Sequence, residues 1–71
     1  MHPCMNEDYW RLDPATKAIV DAVIADAKAA PGRQRRIMPN GGEAYAYRHH
    51  DGVAWGVDTR EANTHRGVMP R

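Results

Sequence analysis

The first regular pattern along the chain is helical. Ile19, Val20, Val23, Ile24 and Ala27 recur at three- and four-residue spacing and form one apolar stripe, while Lys17, Asp21 and Lys28 face away from it. Asp13 followed by Pro14 marks the start, because the carboxylate caps orphan amides and proline occupies a first-turn position where no donor is needed. Ala30-Pro31-Gly32 marks the stop, since proline cannot continue a helix and glycine supplies the reversal. The spacing predicts a helix from Pro14 to about Ala30. Upstream of it Tyr9, Trp10 and Leu12 are expected to pack over the helix entrance.

After residue 32 the period changes from helical to alternating. The stretch RQRRIMPNGGEAYAYRHHDGVAWGVDT, Arg33 to Thr59, is punctuated by Asn40-Gly41-Gly42 and His50-Asp51-Gly52, both hairpin-turn sequences. Three-residue loops at both places would pair His49 with Val53, Tyr47 with Trp55, Tyr45 with Val57 and Ile37, and Arg35 with Tyr47. A two-residue Asp51-Gly52 loop would set Trp55 beside Arg48 and split the aromatic residues between two faces, so the three-residue loop is preferred. The expected apolar face is Ile37, Tyr45, Tyr47, Val53, Trp55 and Val57. The opposite face is then Arg36, Met38, Ala44, Ala46, Arg48, Ala54, Gly56 and Asp58.

These elements predict a two-layer α+β fold, one N-terminal helix packed on a three-stranded antiparallel sheet in the order α-β-β-β, with flexible termini. Residues 1–12 are expected to be irregular, residues 13–59 to form the single domain, and residues 60–71 to be a polar, flexible tail with room for a helical turn around Arg60 to Asn63.

Composition changes this picture mainly through size. A chain of 71 residues has little apolar material for a core, and a single cysteine, Cys4, gives no internal disulfide. Self-association or a partner is therefore expected to contribute to stability. The N-terminus shows no basic region followed by an apolar run and no stretch approaches a membrane span, so the expectation is a soluble, cytoplasmic protein with no membrane partner.

Net charge is +1, but the halves differ: residues 1–32 carry three basic and five acidic side chains, and residues 33–71 carry seven and four. Every basic residue in the second half except histidine is arginine, which suits bidentate contacts to phosphate or carboxylate, although arginine-rich composition also follows from GC-rich coding.

Candidate chemistry is sparse. The chain has no serine, no phosphate loop and no cofactor fingerprint, so no enzymatic activity, cofactor or metal is expected. His49 and His50 are adjacent, hence on opposite sides of a strand or in the loop itself, and are not expected to ligate one ion together without distortion; His2, Cys4 and His65 lie near the chain ends, which offer no fixed second shell.

Two surfaces remain. One is the small-residue sheet face bearing Arg36 and Arg48. The other is the outer edge of the strand Val53, Trp55, Val57, Asp58, which lacks charge until Asp58 and is open to pairing unless the N-terminal segment or the tail covers it. The expected function is a small non-catalytic binding module, inhibitor- or adaptor-like, docking on a larger protein partner through either surface. The alternative is a dimeric nucleic-acid-binding protein with Arg33, Arg35, Arg36 and Arg48 on backbone phosphates. An obligate homodimer is the third.

Overall fold

The computed structural model describes residues 7–39, 41–58 and 63–70. A single turn of helix, α1 (Glu7–Trp10), precedes the main helix α2 (Pro14–Ala29). Four strands follow, β1 (Gln34–Ile37), β2 (Glu43–His49), β3 (Gly52–Asp58) and β4 (Asn63–Pro70). They pair in chain order as one antiparallel sheet, β1-β2-β3-β4, with α2 packed on one side of it.

Helix α2 begins and ends where its sequence dictates. Asp13 is the N-cap: its carboxylate accepts from the Thr16 amide at 3.2 Å and from the Thr16 hydroxyl at 2.7 Å, and Pro14 follows at the first helical position. The last helical bond runs from the Ala30 amide to the Asp26 carbonyl at 3.1 Å, and Gly32 then turns the chain with φ of 88°. The buried side of the helix is Val20, Val23, Ile24 and Ala27, with Ile19 partly buried beside it.

The core between helix and sheet also takes Tyr9, Met38, Ala44, Ala46, Val53, Trp55 and Val57, with Leu12 and Met69 at its margin. Tyr9 is pinned by a hydrogen bond from its hydroxyl to Asp21 on α2 and meets Trp55 edge to face, with ring centroids 5.9 Å apart. Trp10, one residue on, points into solvent.

Three sequence expectations are corrected. The first concerns the sheet face. The pairs Ala46↔Trp55 and Ala44↔Val57 replace the expected Tyr47 with Trp55 and Tyr45 with Val57, so β2 turns its alanines, not its tyrosines, toward the helix. The cause is the loop length. His49 pairs directly with Gly52, leaving only His50 and Asp51 in the turn, and a one-residue shift of register exchanges the faces of a strand. Gly52 is not the left-handed turn residue; it opens β3, where the Met69 carbonyl of β4 occupies the space a Cβ would need.

The second correction concerns β1. Ile37 pairs with Glu43 and Arg35 with Tyr45, two residues from the expected register, because the loop spans residues 38–42 and is closed by a bond from the Met38 amide to the Gly42 carbonyl at 2.8 Å. Met38 drops into the core, whereas Ile37 stands on the outer face. Asn40 lies outside the described residues.

The third correction adds a strand. Residues 63–70, expected to be tail, pair along the outer edge of β3 from Gly52↔Pro70 to Val57↔His65, with an irregularity before Asp58↔Asn63. An unpaired edge leaves a row of backbone donors and acceptors, and β4 satisfies them without needing the alternation of a half-buried strand. In turn the Arg66 amide donates to Asp8 of α1 at 3.3 Å, so part of β4's own edge is occupied. The expected helical turn around Arg60 to Asn63 falls mostly outside the described residues, and Asn63 itself is in β4.

Candidate functional site

The two arginines expected on an open face are instead bound to the helix. Arg36 reaches from β1 to Asp26 of α2, with Nε to Oδ2 at 2.8 Å and Nη2 to Oδ1 at 3.2 Å. This bidentate pair holds the Asp26 carboxyl below its ordinary value and raises the Arg36 guanidinium. Arg48 donates through Nε to the Ala27 carbonyl and through Nη2 to the Lys28 carbonyl, both at 3.2 Å. Those carbonyls belong to the last turn of α2, where acceptors lack intrahelical donors and the helix dipole favours a cation. Arg36 and Arg48 thus fasten sheet to helix.

The expected docking edge is likewise engaged. Val53, Trp55 and Val57 are core residues, and the backbone of their strand is paired on one side with β2 and on the other with β4. Asp58 sits at the end of that strand, half-buried, opposite Glu43.

What lies on the side of the sheet away from α2 is an aromatic and basic surface. Register places Arg35 and Ile37 of β1, Tyr45, Tyr47 and His49 of β2, Ala54 and Gly56 of β3, and Arg66 and Val68 of β4 there. Ile37 is 75% exposed and Tyr47 40%. The Tyr45 and Tyr47 rings are nearly parallel, at 4° with centroids 6.4 Å apart, and the Arg33 guanidinium lies over the Tyr45 ring at 4.1 Å. Arg35 pairs with Glu43 at 3.7 Å. Beside the tyrosines runs a groove of about 380 Å³ lined by Tyr45, Tyr47, His49, Ala54, Arg66 and Val68.

Of the residues expected to bind, Arg33 and Arg35 therefore share this face, Asp58 lies at its border, Trp55 is among the residues lining the groove although its side chain is in the core, and Arg36, Arg48, Val53 and Val57 do not belong to it. Ile37, His49, Arg66 and Val68 join them on this face, and so do Tyr45 and Tyr47, which were expected in the core. The sequence held a signal for the tyrosines: β2 alternates Ala44 and Ala46 with Tyr45 and Tyr47, while β3 alternates Ala54 and Gly56 with Val53, Trp55 and Val57. Setting tyrosines over Ala54 and Gly56 covers backbone that small residues leave bare, a pairing in which an aromatic ring rescues a strand glycine. The alanines then let α2 approach β2 closely.

Among the described residues no helix is long and apolar enough to cross a membrane. No family model, characterised protein or solved structure matches the chain, so its functional reading rests on its own surfaces.

Proposed function

We propose that this protein is a small non-catalytic binding module, inhibitor- or adaptor-like, that docks on a larger protein through the sheet face opposite α2. The observation that carries this reading is the group of Ile37, Tyr45, Tyr47 and Val68 beside Arg33, Arg35 and Arg66, on a face that no described element covers. Tyrosine and arginine are the side chains that most often anchor protein interfaces, because each combines a large apolar surface with directed polar groups. Removing such surface from water contributes about 25 cal/mol per Å² of apolar area, which favours a partner that covers it.

Charge argues for a protein ahead of a nucleic acid. The chain carries a formal charge of +1, Glu43 neutralises Arg35, and Asp58 borders the same face. Nucleic-acid affinity rests on net phosphate neutralisation and counterion release, for which this balance supplies little. The test is affinity capture from cells that make the protein, comparing wild type with a Tyr47→Ser, Ile37→Ser double variant checked for folding by circular dichroism. A partner held by the wild type and released by the variant supports the reading. Equal retention of the same partner would refute it.

One observation favours the nucleic-acid alternative: the parallel Tyr45 and Tyr47 rings and the guanidinium stacked on one of them resemble the surfaces on which single-stranded bases stack. Fluorescence anisotropy with single-stranded and duplex oligonucleotides at low and physiological salt separates the two. Affinity that falls steeply with salt and disappears in Tyr47→Ala supports nucleic acid; no binding at low salt leaves the protein partner. Self-association through the same face would appear as a dimer in sedimentation of the isolated chain, lost in the double variant.

A further inference from the structure

At the end of the aromatic face, the β2–β3 turn brings together three side chains whose chemistry differs from that of the tyrosines: His49, which also lines the groove, and His50 and Asp51 beyond it. His49 ends β2, and His50 and Asp51 form the two-residue loop. On an extended strand neighbouring histidines diverge, but here the chain reverses immediately after His49, and the two imidazole rings come to 4.1 Å between centroids. The Asp51 carboxylate lies against both, with Oδ2 at 3.2 Å from His50 Nε2 and 3.9 Å from His49 Nδ1. One donor atom from each residue lies within 4.8 Å of the other two.

We propose that His49, His50 and Asp51 form a binding site for a divalent transition ion of the zinc, nickel or copper class. Donors bonded at about 2.0–2.1 Å to a tetrahedral ion stand about 3.3 Å apart; the two histidine–aspartate separations, 3.2 and 3.9 Å, are already near that value, and the widest separation in the group, within 4.8 Å, closes by rotation of the exposed His50 and Asp51 side chains. The donor set, two imidazole nitrogens and one carboxylate oxygen, selects zinc, copper or nickel over magnesium or calcium, which prefer oxygen throughout. The β2–β3 ladder fixes the backbone of His49, and its Nδ1 accepts from the Asp51 amide at 3.2 Å. An ion on that nitrogen displaces this hydrogen bond and leaves the exposed turn amide to water. With three protein ligands the ion keeps at least one position for water or for a donor from a partner.

The experiment is zinc titration of the untagged full chain, followed by calorimetry and by amide chemical shifts. The expected result is saturable binding of a single equivalent, with the amides of residues 48–53 moving first and magnesium producing no such change. His50→Ala and Asp51→Asn, both at exposed turn positions, are each expected to weaken binding by more than the roughly 10–100-fold that loss of an outer-shell partner causes. Absence of saturable zinc binding would overturn the site. So would binding that survives both substitutions and is lost instead in a His2→Ala, Cys4→Ser variant.

Discussion

The ring of Tyr45 lies across Gly56, so that a Cβ built on this glycine would overlap the phenol carbons and hydroxyl. The two residues are direct cross-strand partners. The clash involves the far end of a side chain and no backbone, so Gly56→Ala is expected to swing the ring aside while the sheet stays intact. Alanine in a strand also recovers part of the roughly 0.5–1 kcal/mol that glycine costs there. The expected net change in unfolding free energy is under about 1 kcal/mol, together with loss of the Tyr45–Tyr47 stack and of the Arg33 contact. Denaturant unfolding measures the first and ring-current shifts of the Tyr47 protons the second. If the proposed docking face is correct, this near-neutral variant loses its partner; wild-type affinity in Gly56→Ala would count against Tyr45 as an anchor.

Gly52 meets a different obstacle. Its φ is +149°, and a Cβ there would run into the Met69 carbonyl of β4, which is backbone and cannot swing away. Gly52→Ala must either distort the turn or open the β3–β4 ladder near Pro70. The cost is expected to be at least about 1–3 kcal/mol, clearly above that of Gly56→Ala. Hydrogen exchange at residues 67–70 should rise well beyond the change in global stability. Equal destabilisation by the two glycine substitutions would mean that β4 is not paired as described.

Acid stability should report the two exposed carboxylates that α2 uses. Hydrogen bonds from Thr16, side chain first and amide second, hold Asp13 below its ordinary value of 3.8, and the Arg36 guanidinium does the same for Asp26. A group whose folded pKa is depressed adds stability above its unfolded value and loses it as pH falls through the folded one. Both contributions are therefore present at neutral pH and fade below about pH 4. Asp26→Asn is expected to melt lower than wild type at pH 7 and to converge with it as pH falls through the depressed Asp26 value, with the neutral-pH gap narrowing in about 1 M salt. A gap that persists unchanged into acid would show that the Asp26–Arg36 pair does not link α2 to β1.

The helix was legible because its signals are local. Asp13, Pro14 and the stripe from Ile19 to Ala27 each act within a turn or two of chain, and no distant partner had to be known. The inward set of β3, Val53, Trp55 and Val57, was legible for the same reason, since only one of its faces carries bulk. Strand β2 was misread because bulk pointed the wrong way: tyrosines are the larger side chains, yet α2 needs the close approach that Ala44 and Ala46 permit. A loop shorter by one residue decided the matter, and the glycine that looked like a turn residue answers to Met69, which is distant in sequence. Strand β4 was hidden because Val68 and Met69 are adjacent and the rest is polar, a pattern that reads as tail until β3 is seen to need a neighbour. The arginines followed from these shifts, since exchanging the faces of β2 moved Arg48 onto the helix terminus and Tyr45 and Tyr47 into the place it was expected to hold.

The two tryptophans occupy opposite environments, which gives a direct optical check of the core. Trp10 is 73% exposed, while Trp55 is 1% exposed beneath α2, against Tyr9. Trp10→Phe is expected to leave a single blue-shifted emission that acrylamide quenches poorly, since the remaining indole is out of water. Trp55 also carries a buried Nε1 with no hydrogen-bond partner among the described residues. An unsatisfied buried donor costs about 1–3 kcal/mol, so Trp55→Phe removes a penalty as well as some packing. Trp55→Ala removes the same donor but far more packing, at a cost of about 3–5 kcal/mol, which is comparable to the whole stability of a domain this small. The expected order is thus a modest loss for phenylalanine and unfolding or near-unfolding for alanine, read by urea denaturation of each variant in the Trp10→Phe background using far-ultraviolet circular dichroism. Equal damage from both would mean that the indole N–H is satisfied in solution, by water or by the Tyr9 ring face, and that its hydrogen bond is part of what holds α1 to the core.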